Sequence, residues 1–378
     1  MKKLYLWIFL SFIWQLVLAQ NETFLKHGPY LMNPAPNKIS ILFQTQQRAL
    51  SWIEVREENS ENSKRYQSSK HGLKEAFNLY NTILLDSLKS DISYQYRVCS
   101  QRFETFEPYK KIKDEIQYTN WYTFMTLPRQ EKEIKFCVLN DIHDNTELME
   151  KLLNHTKYKE YNFIVMNGDM SNLIEKEEQP YIVLDKATEL FARQIPILYV
   201  RGNHETRGKY ARVLHHYVDC SSGNYYYFLR TGDCAIIVLD SGDEGADDTP
   251  AYAGTTAFDA YRKEQTQWLE TIVKKKDFLE AKHRIVFAHI PPIGANSCCQ
   301  AVLQTQREWI PILNLAGIDL LVCGHNHHLG FVPKKNETNE FPIVINGKNT
   351  IMEISISPVN RIDYKILNEN GEIVLRKN

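Results

Sequence analysis

The stretch Ile197-Leu-Tyr-Val-Arg-Gly-Asn-His-Glu205 is an apolar run that ends abruptly in Gly202, Asn203, His204 and Glu205. A short β-branched and aromatic run of this kind reads as a buried strand. The polar residues sit where such a strand would leave its sheet. Four other stretches repeat the form. Ile134-Lys-Phe-Cys-Val-Leu-Asn runs into Asp141 and His143. Phe163-Ile-Val-Met-Asn runs into Gly168-Asp169, and Ile285-Val-Phe-Ala into His289. Leu320-Leu-Val-Cys runs into Gly324-His325-Asn326-His327. Ligands bind in the crevice outside the carboxyl ends of the strands of an open α/β sheet. Five loops spread from 141 to 327 are therefore expected to converge. The glycines before Asp169, Asn203 and His325 permit sharp exits and close backbone approach.

Asp, His and Asn together form a donor set suited to Zn, Fe or Mn. They are too many for one tetrahedral ion. Seven ligating side chains fit two ions that share a carboxylate. Two ions about 3.5–4 Å apart serve in-line displacement at phosphorus, with a bridging water losing a proton to become the nucleophile.

The regions on either side of residue 134 differ in pattern. From 134 onward, apolar runs at 134–139, 163–166, 195–200, 235–239, 285–288 and 318–323 alternate with helical candidates at 145–159, 176–193, 261–276 and 304–315. This alternation predicts α/β layers around a buried sheet. The runs at 343–345, 351–356 and 372–375 read as further strands. Residues 23–127 instead carry short alternating runs, such as Ile39-Ser-Ile-Leu-Phe-Gln-Thr45, Ser51-Trp-Ile-Glu-Val-Arg56, Thr82-Ile-Leu-Leu85, Tyr94-Gln-Tyr-Arg-Val98 and Trp121-Tyr-Thr-Phe-Met-Thr126. Polar turns separate them, which predicts an antiparallel β-sandwich. The charged segment 127–133 reads as a linker.

The 378 residues comprise 45 Lys and Arg against 46 Asp and Glu, so the net charge is −1 and nothing draws the whole chain to nucleic acid. Lys2 and Lys3 precede an apolar run that ends near Ala19. This is the pattern of a cleavable signal peptide over 1–19, cut after Ala19, and it predicts a secreted or periplasmic protein. The rival reading, a membrane anchor, is disfavoured because the run is short and Gln15 interrupts it. The mature chain is thus expected to have no membrane span. Seven cysteines are too few for a disulfide scaffold. Cys137, Cys234 and Cys323 lie in apolar runs and read as buried hydrophobes. Cys220 and Cys234 flank a hairpin and are candidates to pair. Cys298 and Cys299 are either bridged or two free thiols.

Asp141-x-His143, Gly168-Asp169, Gly202-Asn203-His204-Glu205, His289 and Gly324-His325-Asn326-His327 resemble the five-block signature of the calcineurin-like metallophosphoesterases. The resemblance covers 134–378 and implies a four-layer α/β domain with a β-sandwich core. Gly28-Pro29-Tyr30-Leu31 and Leu85-Asp-Ser-Leu-x₅-Tyr-x-Tyr-Arg-Val98 resemble the fibronectin III-like N-terminal domain of purple acid phosphatases. Carried over, the resemblance implies that Asp141, His143 and His327 hold a first ion, that Asp169 bridges, and that Asn203, His289 and His325 hold a second. It implies that His204 faces the scissile phosphate, to stabilise charge or protonate the leaving oxygen. Glu205 is expected to orient a neighbouring His. Purple acid phosphatases carry Gly two residues after the first Asp and Tyr three residues after the bridging Asp. This chain has His143 and Asn172 there. The substitution implies a colourless protein, with Fe, Mn or Zn all open.

Other candidates have plainer readings. His328 either touches substrate or is a loop residue, and His215 and His216 belong to a surface helix. Asp144 and Asn145 begin the following helix as caps. Asp243, Glu244, Asp247 and Asp248 form a lid, a calcium loop or, the favoured reading, a solvated loop. Asn154-His-Thr and Asn336-Glu-Thr fit a glycosylation pattern. The expectation is an exported phosphate-monoester hydrolase acting on a small-molecule ester. A phosphodiesterase or nucleotidase on the same scaffold is the first alternative. An adhesion or binding protein with a silent catalytic domain is the second.

Overall fold

The computed structural model describes residues 24–377 apart from 221–222, 296–298, 336–337, 358 and 360. The expected signal peptide, Cys298 and the Asn336 acceptor lie outside the described residues.

The apolar runs after residue 134 form strands, and most are buried on both faces. Ile134–Leu139 pairs in parallel with Phe163–Asn167, which pairs in parallel with Ile197–Val200. Thr350–Ser357, Arg361–Asn368 and Ile373–Lys377 extend this first sheet by antiparallel pairing. A second sheet has the order Tyr227–Thr231, Cys234–Leu239, His283–Ala288, Leu320–Cys323, Ile343–Ile345, Gly330–Val332. The two sheets share one core. Phe136 stacks on Phe163 at 4.6 Å between ring centroids and meets Phe287 of the opposite sheet at 6.2 Å. The inward residues Ile236, Val238, Ile285, Leu320 and Val344 belong to the same buried cluster. The outward residues Ala235, Ile237, Leu239, Val286 and Leu321 pack instead with Leu269, Ile272 and Leu313 of the covering helices. This alternation is the period of two expected of a strand whose faces meet different layers. The result is a mixed α/β architecture with large sheets and helices outside them.

The helices are shorter than their apolar periodicity predicts. Thr146–Asn154 begins where the Asn145 side chain accepts from the Leu148 N–H. The expected helix over 176–193 starts at Gln179, next to Pro180, and ends in a π turn, Thr188–Ala192. The third helix is Phe258–Ile272. The expected helix over 304–315 is two, Gln300–Glu308 and Ile310–Ala316. Pro311, which has no N–H to give, stands at the break. The strand Arg361–Asn368 alternates buried and partly exposed residues and escaped the sequence reading.

In the N-terminal region, the two short strands expected at 39–45 and 51–56 are one continuous strand, Lys38–Glu57. Its first half pairs with Leu25–Ala35 and Asn78–Leu85, and its second half with Ser93–Glu107. An irregularity between Gln44 and Ala49 lets one strand serve both pairings. Leu31, Ile41, Phe43, Ile53, Tyr96, Val98 and Phe124 form a separate core here. Met32 pairs in parallel with Ile197, so the N-terminal strands continue the first sheet. Segment 127–133 is tied down rather than free. The Pro128 carbonyl accepts from Gly232 N–H at 2.8 Å and from Thr231 Oγ1 at 3.1 Å. Cys220 and Cys234 are both buried free thiols, so the expected pairing is not formed. Cys234 lies in the hairpin strand itself, where a thiol packs as a small hydrophobe.

Candidate metal centre

All seven residues expected to bind metal converge at the carboxyl ends of the strands. The loops are stitched by backbone bonds. Asp141 N–H donates to Gly168 O and His143 N–H to Asp169 O, each at 3.0 Å. Gly324 N–H donates to His289 O at 2.9 Å. Asp141, His143, Asp169, His325 and His327 all have positive φ, between 49° and 71°. Non-glycine residues avoid this region unless the surroundings compel it, and such strain clusters at functional sites. The glycines have a specific task. A Cβ at Gly202 would collide with the Asp169 carboxylate, and one at Gly168 with the His289 ring.

Three overlapping sets of side chains bring ligand atoms within 4.8 Å of one another: Asp141, His143 and His327; His143, Asp169 and His204; Asp169, His289 and His325. The facing atoms fit a metal. His143 Nε2 lies 3.1 Å from His327 Nε2, Asn203 Oδ1 lies 3.1 Å from His325 Nδ1, and His289 Nε2 lies 3.0 Å from Asp169 Oδ2. Ligands of one ion with bonds of about 2.1 Å stand roughly 3.0–3.4 Å apart. Asp141 Oδ1 is buried with no hydrogen-bond donor, which a cation would satisfy. His289 is aimed by its other nitrogen, with Nδ1 donating to the Asn167 carbonyl at 2.8 Å. A second contact of that kind fixes the tautomer of a ligating histidine.

The electrostatics favour ionised carboxylates. Burial alone would raise Asp141 and Asp169, but His289 beside them holds both below the usual carboxylate range. Burial opposes a charge on His289, yet Asp169 and Asp141 overcome it and push the ring up to about 10. His143 moves the other way, down to about 4, because burial outweighs the Asp169 charge. Burial and the Asp169 charge push Glu205 up to about 7.

Glu205 does not orient a histidine. Its Oε2 accepts from the backbone N–H groups of Asp169 and Gly202, each at 2.9 Å, and its Oε1 from Ser171 at 3.0 Å. A buried carboxylate thus gathers the amides of two site loops. His204 lies over the cluster, with Nε2 3.8 Å from Asp169 Oδ2. Its Nδ1 donates to the Asn172 carbonyl at 2.6 Å. Asn145 caps the following helix as expected, whereas Asp144 instead accepts from the Asn172 N–H at 3.0 Å. His328, His215 and His216 are exposed.

Several residues of the site were not singled out by the sequence reading. Asn140 Nδ2 donates to Asp141 Oδ2 at 2.6 Å, and Asn346 Nδ2 donates to Asn140 Oδ1 at 2.6 Å. Arg207 joins His204 to the acidic loop, its Nη1 donating to His204 Nε2 at 3.1 Å and its Nη2 to Asp243 Oδ1 at 2.9 Å. The loop is bonded into the protein rather than solvated. His325 Nε2 lies 2.9 Å from Glu244 Oε1, and Asp247 accepts from the Phe258 and Asp259 N–H groups. The fully buried Arg262 pins the loop through the Ser241 carbonyl at 2.8 Å. Protein partners thus occupy these carboxylates. A cavity of about 350 Å³ opens between Asp169, Asn203, His204, Arg207, Glu244 and His327.

A family model for calcineurin-like phosphoesterases matches residues 134–329, which contain every residue of the cluster. The chain belongs to the calcineurin-like phosphoesterases. As a member of that family it is a metal-dependent phosphoric ester hydrolase. No curated sequence matches the chain significantly. The purple acid phosphatase PPD1 from yellow lupin (Lupinus luteus) seeds is similar in fold, with a TM-score of 0.69 and 11% identity over 91% of this chain and 72% of that one. The structure of PhoD is similar with a TM-score of 0.60 and 11% identity over 92% of each chain. At such identities the likeness is one of fold, and it extends into the N-terminal strands. Among the described residues no helix is long and apolar enough to cross a membrane.

Proposed function

We propose that this calcineurin-like phosphoesterase hydrolyses phosphate monoesters of small molecules with two metal ions, drawn from Fe, Mn and Zn. The observation that carries the reading is a pair of adjoining ligand sets: Asp141, His143 and His327 on one side, and Asp169, His289 and His325, with Asn203 beside His325, on the other. When bound, such ions polarise phosphoryl oxygens and lower the pKa of water. The chain's own residues do the rest. Asp169 stands between them, its Oδ2 3.0 Å from His289 Nε2 and 4.0 Å from His143 Nε2, where its carboxylate can serve both ions. His204 stands over the cavity, where it can stabilise charge on the phosphoryl group or hand a proton to the leaving oxygen. The amides gathered by Glu205 keep Asp169 and Gly202 in place. The apolar run ahead of Ala19 supports export, and the strand pattern of residues 23–127 supports a fibronectin III-like sandwich in front of the catalytic region.

The test is hydrolysis of 4-nitrophenyl phosphate against bis(4-nitrophenyl) phosphate by mature protein reconstituted with Mn, Zn or Fe. Faster monoester cleavage is expected. Faster diester cleavage moves the assignment to a phosphodiesterase. Asn203→Ala is expected to lose metal and turnover together, and unchanged turnover would sink the site assignment.

A further inference from the structure

The carboxylate-rich cavity holds one permanent cation among its described lining residues, Arg207. Its guanidinium is tied on one edge. Nη2 donates to Asp243 Oδ1 at 2.9 Å and Nε to Asp243 Oδ2 at 3.3 Å, a fork on a carboxylate that is itself buried. Asp243 is fixed in turn, because its backbone carbonyl and that of Ser241 accept from the fully buried Arg262. The remaining edge, Nη1, points to His204 Nε2 at 3.1 Å. A guanidinium held on two nitrogens and left with a third directed into a cavity is pre-organised for an anion. Its side chain is 38% exposed, so it is reachable from solvent. An imidazole nitrogen carries no negative charge and is a modest partner for that third donor. A charged phosphoryl oxygen is a better one, because it adds the attraction of opposite charges to a donor that is already ionised.

We propose that Arg207 binds a terminal oxygen of the substrate's phosphoryl group, aimed there by Asp243, and that this contact sets the preference for monoesters over diesters. The inference rests on the phosphoesterase reading of the same site. A monoester carries two negative charges near neutral pH and a diester one. The cavity also contains the Asp169 and Glu244 carboxylates, so the more charged ester gains more from a fixed cation. In the substrate-bound state Nη1 exchanges His204 Nε2 for the phosphoryl oxygen. This leaves the imidazole free to face the leaving group.

The experiment compares wild type with Arg207→Gln and Arg207→Lys, each reconstituted with Mn(II), on 4-nitrophenyl phosphate, on bis(4-nitrophenyl) phosphate and for inhibition by inorganic phosphate. Loss of one charge-assisted bond predicts a fall of about 10- to 100-fold in monoester kcat/KM and a similar loss of phosphate affinity for the Gln variant. Diester kcat/KM should fall by a clearly smaller factor, since a diester offers the guanidinium one negative charge rather than two. The Lys variant, which keeps the charge without the fork, should fall between the two. Equal losses on both esters, or none, would overturn the proposal. Wild-type protein offers a second measurement that needs no variant. Inorganic phosphate should protect Arg207 from phenylglyoxal, read by mass spectrometry of the modified peptide, and unprotected modification at saturating phosphate would also overturn it. Should wild type cleave neither ester with Mn(II), the monoesterase reading of the site fails, and the role of Arg207 falls with it. A wild type that prefers monoesters while Arg207→Gln keeps the same ratio sinks only the role of Arg207.

Discussion

His204 donates its Nδ1 proton to the backbone carbonyl of Asn172, 2.6 Å away. A carbonyl can only accept, so Nδ1 carries a proton, and Nε2, turned to the cavity, becomes a donor when the ring takes up its second proton. The Asn172 side chain takes no part in this bond. His204→Ala should therefore lower kcat by about 10²- to 10³-fold, the scale of removing one donor at a developing charge. Bound metal, counted by elemental analysis, should be unchanged. Asn172→Ala should keep activity close to wild type, since only its backbone is used. A large loss in the second variant would count against this account of His204.

Glu205 accepts three buried amides from Gly202, Asp169 and Ser171. Truncation leaves all three unpaired, at about 1–3 kcal/mol each before relaxation or entry of water. Glu205→Ala should lose at least about 3 kcal/mol in urea denaturation of the metal-free protein. It should also weaken metal binding, because the displaced amides belong to Asp169 and to the residue before Asn203. A histidine-orienting role would predict weaker metal binding with little change in stability.

Metal binding should release protons. The metal-free His289 ring, raised to about 10 by Asp169 and Asp141 against its burial, is protonated at neutral pH. A metal ion must displace that proton, so affinity should rise with pH up to about 10. Calorimetry in buffers of different ionisation enthalpy counts the protons. The linkage runs the opposite way for the metal-free fold. A histidine whose folded pKa is raised contributes stability that is complete below its unfolded value of about 6.5 and is lost as pH climbs through the folded value. The metal-free protein should lose thermal stability between pH of about 6.5 and 10. His289→Gln should flatten that slope, and an unchanged slope would place its origin elsewhere.

Colour is a simple readout of the residue at 172. A purple acid phosphatase-like iron centre owes its visible band to a tyrosine that this chain replaces with Asn172. Protein reconstituted with iron should be colourless or pale, without a strong visible charge-transfer band. Intense purple would mean that another tyrosine reaches the iron.

The five strand ends were legible because their chemistry is local. An apolar run followed by a ligand-type side chain, with a glycine before it in three of the five, states both where a strand ends and what stands there. Those runs account for Ile134–Leu139, Phe163–Asn167, Ile197–Val200, His283–Ala288 and Leu320–Cys323. Helix limits were less legible, since Pro311 interrupts an apolar period that otherwise continues. The strand Arg361–Asn368 was less legible because its buried residues Ile362, Tyr364 and Ile366 are separated by charged Asp363 and Lys365, and Leu367 breaks the alternation. Asp243 and Glu244 looked like a hydrated acidic loop because charge is all that composition displays. Their partners, Arg207 and His325, lie far along the chain.

The chain by itself determined the candidate donor set, its order and its place at the ends of buried strands. Residue type and hydrophobic period are properties of neighbours in sequence, and burial of an apolar run follows from its own composition. Only the tertiary structure decided that Asn203 faces His325, that Glu205 gathers amides rather than a ring, and that Met32 joins the N-terminal strands to the first sheet. It also decided that Arg207 stands between Asp243 and His204. These are directional contacts between residues distant in sequence. A hydrogen bond at 3 Å depends on loop closure and on the orientation of both partners, and no local pattern carries that information.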